Sequence, residues 1–123
     1  YLWERKITLI VPVPLHSRRK RKRGFNQAEI VAKVLSENTG IAMDAGAVKR
    51  IKATSPQKEL GDKGRKRNIR GAFAVQKNVK GENIVLIDDI YTTGSTLDEA
   101  ARVLKKAGAE NVYFLTVSIG QGI

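Results

Sequence analysis

Four apolar residues in a row, Ile84 to Ile87, end in two aspartates, Asp88 and Asp89. No polar residue breaks the run, so neither face of this segment is suited to water. A strand buried on both faces belongs inside a mainly parallel sheet with helices covering it on either side. The segment that follows has the period of such a helix. From Ser95 to Ala107, Leu97, Ala100, Ala101 and Leu104 recur at i, i+3, i+4 and i+7. Thr96 and Glu99 have the spacing of a capping box, and Gly108 is placed to stop the helix.

The rest of the chain alternates in the same way. Ile7 to Val13 reads as a buried strand that stops at Pro12 and Pro14. Gln27 to Asn38 reads as a helix with Ile30, Val31, Val34 and Leu35 on its apolar face and Gly40 as its stop. Ala47 to Ile51 and Phe73 to Val75 are short strand candidates, and Val112 to Ile119 is an apolar strand. Residues 52–70 lose the pattern. They mix lysine and arginine with glycine and proline and read as a mobile basic loop, centred on 52–66. With no repeat and no linker, the 123 residues are expected to form one α/β domain, with a central, mainly parallel sheet flanked by helices.

Bulk properties narrow the class of partner. There are 23 Lys and Arg against 12 Asp and Glu, a net charge of +11, which favours nucleic acid, phosphates or anionic lipid. No apolar run approaches the roughly 18–20 residues of a membrane helix, and there is no secretory signal pattern. The absence of cysteine excludes a disulfide frame and a zinc–thiolate site, and the expected setting is the reducing cytoplasm. His16 is the only histidine, so zinc has no ligand set.

In an open parallel sheet, ligands sit beyond the carboxyl ends of the strands. The turn after Asp89 therefore points at a site. Tyr91, Thr92, Thr93, Gly94, Ser95 and Thr96 lead into a helix N-terminus, where free N–H groups and the helix dipole attract an anion. Gly94 lets a ligand approach the backbone. No lysine follows Gly94, so this is not a Walker loop, and a terminal phosphomonoester suits it better than a triphosphate. Asp88 and Asp89 repel phosphate but accept hydrogen bonds from sugar hydroxyls, or hold a magnesium ion through its waters. Together these features describe a ribose 5-phosphate site. The competing reading is a structural turn whose hydroxyls only cap a helix.

Arg18 to Arg23 are six consecutive basic residues. They read as a solvated run, as a pyrophosphate clamp, or as a nucleic-acid contact. In the last case Arg18, Arg19, Lys20, Arg21, Lys22 and Arg23 would act with Lys58, Lys63, Arg65, Lys66 and Arg67, and binding would fall steeply with salt. Phe25 and Tyr91 are two scattered aromatics and make a weak stacking platform.

The run IVLIDDIYTTGSTL resembles the phosphoribosyl pyrophosphate (PRPP) motif of type I phosphoribosyltransferases: four apolar residues, two acids, then a T-T-G-[SA]-T turn. VPVPLH, with Arg19 and Arg23 ahead of GFNQAE, resembles the ComF family of competence-associated phosphoribosyltransferase-like proteins. Thr54, Gln57, Leu60, Arg65, Asn68, Gly71 and Phe73 match that family's middle block. The likeness runs from about Val11 to Val117.

The resemblance implies a type I phosphoribosyltransferase fold and transfer of ribose 5-phosphate from PRPP with release of pyrophosphate. By the same likeness Asp88 and Asp89 are the catalytic acids at the ribose 2- and 3-hydroxyls and touch magnesium indirectly. Thr92, Thr93, Gly94, Ser95 and Thr96 hold the 5-phosphate. Leu15, His16, Ser17, Arg19 and Arg23 face the pyrophosphate, residues 52–66 are the flexible loop, and a homodimer is expected. The cysteine-rich zinc segment common in ComF-type chains is absent from these residues, and no hood for an acceptor base is evident. Two further readings stand beside the enzyme: a fold that no longer turns over and binds single-stranded DNA or DNA-uptake proteins, and a nucleobase salvage enzyme.

Overall fold

The computed structural model describes residues 6–14, 26–51, 69–89 and 94–117. Six strands and two long helices follow in the order β1 (Leu9–Pro12), α1 (Gln27–Thr39), β2 (Ala42–Met43), β3 (Val48–Arg50), β4 (Phe73–Val75), β5 (Asn83–Asp89), α2 (Gly94–Lys106) and β6 (Asn111–Val117). Four strands form a parallel sheet in the order β2-β1-β5-β6, and β3 and β4 pair separately as an antiparallel ribbon.

The apolar run is at the centre of this architecture. β5 pairs with β1 from Leu9↔Ile84 to Pro12↔Ile87, and with β6 from Asn83↔Asn111 to Asp89↔Val117. Ile84, Val85, Leu86 and Ile87 are all buried. Alternation along the strand divides them between two cores. Ile84 and Leu86 pack with Val11, Val13, Leu97, Ala100 and Leu104 on the α2 side. Val85 and Ile87 pack with Ile10, Ala28 and Ala32 on the α1 side. Helices therefore cover both faces, as the uniformly apolar strand requires.

Pro12 sits in an interior strand at little cost. β2 pairs with β1 only at Leu9 and Ile10, and Asp44 N–H donates to Ile10 C=O at 3.0 Å as the chain leaves. By Pro12 the β2 neighbour has ended, so the missing N–H leaves no partner wanting. On the other side Val13 N–H continues the ladder to Ile87 C=O at 2.8 Å.

Three expectations need correction. On α1, Ile30 and Val34 are 46% and 52% exposed, while the residues turned to the sheet are Ala28 and Ala32, with Val31 and Leu35 packed beside them. Alanine lets the helix axis come close to the strands, and this rotates the larger Ile30 and Val34 outward. Thr96 and Glu99 form no capping box. α2 starts at Gly94, so Thr96 is already its third residue, and both Glu99 oxygens are taken by Arg102 and Gly71. β6 is an edge strand whose Phe114 and Leu115 are 48% and 36% exposed, so cover on both faces does not extend to this edge. The two-residue β2 has no sequence signal of its own; it is recruited by pairing to β1. The helix stop at Gly40 is as expected, in a left-handed conformation (φ +76°) that favours glycine, with its N–H on Ser36 C=O at 3.0 Å.

Candidate functional site

The strand order places the site. The connection from β1 runs through α1 to β2 on one side of the sheet. The connection from β5 runs through α2 to β6 on the other. The two paths diverge between β1 and β5, and a crevice opens at such a switch point beyond the carboxyl ends of the strands. β1 ends there at Pro12, β5 ends there at Asp88 and Asp89, and both helices begin there.

Asp88 continues the Ile84–Leu86 face of β5 under α2. It is 1% exposed and engaged with other groups of the protein. A carboxylate in such a place must be held by partners, because an isolated buried charge is strongly disfavoured. Asp89 is the last residue of β5, in register with Val117. Of the residues expected at the 5-phosphate, Gly94 is exposed at the first position of α2, Ser95 is half-buried, and Thr96 is 3% exposed and engaged. Thr92 and Thr93 lie outside the described residues, as do Leu15, His16, Ser17 and all of Arg18 to Arg23. So do Lys58, Lys63, Arg65, Lys66 and Arg67, and with them the whole of 52–66.

The sequence reading overlooked two features. The first is Asn26. Its side chain accepts from Ala28 N–H at 3.0 Å, capping α1, and its Nδ2 donates to Val13 C=O at 3.2 Å. One side chain thus ties the start of α1 to the end of β1. An asparagine just before a periodic apolar run is a cap signal, so it was available in the sequence.

The second is Glu99. Arg102 donates to it twice, Nε to Oε1 at 2.9 Å and Nη2 to Oε2 at 2.6 Å, and Gly71 N–H donates to Oε2 at 3.0 Å. The Arg102 hydrogen bonds, with the Gly71 N–H and the positive charges of Arg102 and Arg70, outweigh burial and hold its carboxyl below the ordinary value of 4.5. The same contact raises Arg102. Gly71, at φ +77°, is where the chain returns towards β4, so Glu99 fastens that return to α2. No local pattern links residues 71 and 99.

Charge is distributed unevenly around this frame. Residues 15–25 and 52–68 together hold twelve Lys and Arg against two acids, a net +10 of the chain's +11. The first segment joins the frame at Pro14 and Asn26 and the second at Ile51 and Ile69. Next to the second, Arg50 lies over the Phe73 ring at 5.3 Å from its centre.

Magnesium fits the donor chemistry in one way only. Among the described residues no group of three or more His, Cys, Asp or Glu could cage a metal. Two adjacent carboxylates at a strand end suit an ion that keeps most of its waters and takes its other ligands from phosphate.

A central parallel sheet with this switch point, two acids and a helix N-terminus defines a phosphoribosyltransferase-type domain. Residues 6–119 match the phosphoribosyl transferase domain family, to which the chain belongs. Within it the chain is of the ComF type. It is 43% identical over 103 residues to the DNA utilization protein YhgH of Salmonella typhi, covering 84% of this chain and 45% of that protein. It is 42% identical over 106 residues to competence protein F of Haemophilus influenzae, covering 84% and 46%. It is 36% identical over 112 residues to competence protein ComFC of Bacillus subtilis, covering 89% and 43%. The chain thus spans less than half the length of these relatives.

Two solved structures share the fold. One is a purine phosphoribosyltransferase from Pyrococcus horikoshii, with TM-score 0.58 and 21% identity over 94% of this chain and 64% of that one. The other is an allosteric regulatory enzyme of purine biosynthesis, with TM-score 0.56 and 22% identity over 88% and 21%. The fold is that of the type I phosphoribosyltransferases. No helix among the described residues is long and apolar enough to cross a membrane.

Proposed function

We propose that the chain, as a single domain, binds PRPP with magnesium at the β1/β5 switch point and transfers its ribose 5-phosphate with release of pyrophosphate. The observation that carries this reading is the meeting of the β5 acids with the α2 N-terminus at the one place where the sheet connections diverge. Asp88 and Asp89 take the ribose hydroxyls. Thr92, Thr93, Gly94, Ser95 and Thr96 take the 5-phosphate, with Gly94 and Ser95 the most open of those described. Leu15, His16, Ser17, Arg19 and Arg23 face the pyrophosphate. Bound with the diphosphate, magnesium supplies charge neutralisation for the leaving group. The protein's own work is to hold sugar and phosphate still and to place two carboxylates beside an anomeric carbon that becomes cationic. A cytoplasmic setting belongs to this reading.

Calorimetry with PRPP and magnesium tests it. The expected result is magnesium-dependent binding that falls at least tenfold when Asp88 and Asp89 both become Asn. Asp89→Asn alone guards against misfolding around the buried Asp88. Equal PRPP affinity in parent, single and double variants overturns the assignment.

A second reading is favoured by the concentration of charge in 15–25 and 52–68 and by relatives named for DNA utilization and competence. In it the basic segments bind single-stranded DNA during DNA uptake. Affinity for a labelled oligonucleotide would drop steeply between about 50 and 200 mM salt. It would also drop when Arg19, Arg21 and Arg23 become Ala; a salt-insensitive, unchanged affinity rejects it.

A further inference from the structure

The two edges of the parallel sheet are built differently. β2, at one edge, is two residues long. β6, at the other, is seven residues long and runs in register with β5 from end to end, without a bulge. Among the described residues no strand pairs with its outer side. An open edge offers a row of N–H and C=O groups to any chain that meets it, and proteins blunt such edges with short strands, lysine, proline or bulges. β2 follows that rule. β6 reads NVYFLTV, with no charge, no proline and no glycine, and it exposes Phe114 and Leu115.

The order of residues in β6 says what this edge suits. Phe114 is the middle residue. Tyr113 and Leu115 flank it, both large, and beyond them stand Val112 and Thr116, both β-branched. The strand therefore has much the same character read in either direction from Phe114. Val112 packs towards the α2-side core, and Tyr113 and Val117 towards the α1-side core. Alternation puts Phe114 on the face of Val112 and Leu115 on that of Tyr113. A two-fold axis through Phe114, normal to the sheet, sets Phe114 opposite its own copy, Tyr113 opposite the second copy's Leu115, and Val112 opposite the second copy's Thr116. Each pair shares a face, and aromatic and β-branched pairs directly opposite one another are favourable. Charge points the same way. Two chains of net +11 repel over most of their surfaces, but along β6 no charge is opposed to another.

We propose that β6 pairs antiparallel with β6 of a second copy of this chain, centred on Phe114, so that two four-stranded sheets become one of eight strands. The interface is isologous, and it closes at the dimer. It does not depend on the PRPP reading of the site.

Sedimentation of the 123-residue chain tests the association, and single cysteines test the register. The parent is expected to be a dimer at about 100 μM. Phe114→Lys sets two like charges directly opposite each other and is expected to raise the dissociation constant at least about tenfold, with an unchanged circular dichroism spectrum. The chain has no cysteine of its own. Phe114→Cys faces its own copy and is expected to give a disulfide-linked dimer on mild oxidation. Asn111→Cys would stand about 20 Å from its copy along the strands and is expected not to link. A parent that is monomeric at about 100 μM overturns the proposal and leaves the edge to a different strand. So does assembly beyond the dimer, a dimer indifferent to Phe114→Lys, or equal linking at positions 111 and 114.

Discussion

β1–α1 and β5–α2 follow the same course: a strand, a connection at the carboxyl edge, and a thirteen-residue helix back across one face of the sheet. They are seated differently. α1 approaches the sheet through Ala28 and Ala32 and is closed at its start by Asn26. α2 is anchored by Leu97, Ala100 and Leu104, opens on the exposed Gly94, and is braced from the side by Glu99 on Gly71. The first N–H groups of α1 are met by its own cap, whereas α2 opens on a glycine and is held from its side.

The largest expected effect tests the seating. Leu104 is fully buried at the far end of α2 from the site, so Leu104→Ala should cost about 2–5 kcal/mol of stability in denaturant unfolding. A cost under about 1 kcal/mol would mean that α2 is not held by this core. Next is the cap. Asn26→Ala should cost about 1 kcal/mol, and it should also loosen the join between α1 and Val13. Amide exchange in the first turn of α1 should rise while that of α2 stays unchanged; a uniform rise would erase the distinction between the two helix starts.

The smallest effect concerns the brace. Glu99 is held below its ordinary value of 4.5 in the folded chain. Its contribution to stability is therefore fully present above that value and is lost as pH falls through the lowered folded one. The stability gap between parent and Glu99→Gln should be open at pH 7 and should close as pH drops below 4.5. A gap that stays constant with pH would mean that the charge of Glu99 is not what holds Gly71 against α2.

Much of this was legible from residue order. A short uninterrupted apolar run that ends in two acids and is followed by a helix period reads as an interior strand, so β5 could be placed from the sequence. The acids and the helix period after them marked the end of β5 and the start of α2, and the wider motif marked the family. Short-range chemistry also located both helices to within a residue or two at most ends. The orientation of α1 was not legible. Ile30 and Val34 have the period of a buried face, yet the approach distance between helix and sheet selected the alanines instead.

What residue order determined here is whatever depends on neighbours within a turn or a strand: period, breakers, the Asp–Asp–turn–helix unit and the sign of the charge. Tertiary structure alone decided what depends on distant partners. It made β2 a strand, turned Thr96 and Glu99 from a cap into helix interior and brace, and left β6 half-covered at an edge. The physical reason is that a side chain's hydrogen bonds and exposure are properties of a packed neighbourhood. Residues 71 and 99 become neighbours only after β4 and α2 have found their places on the sheet.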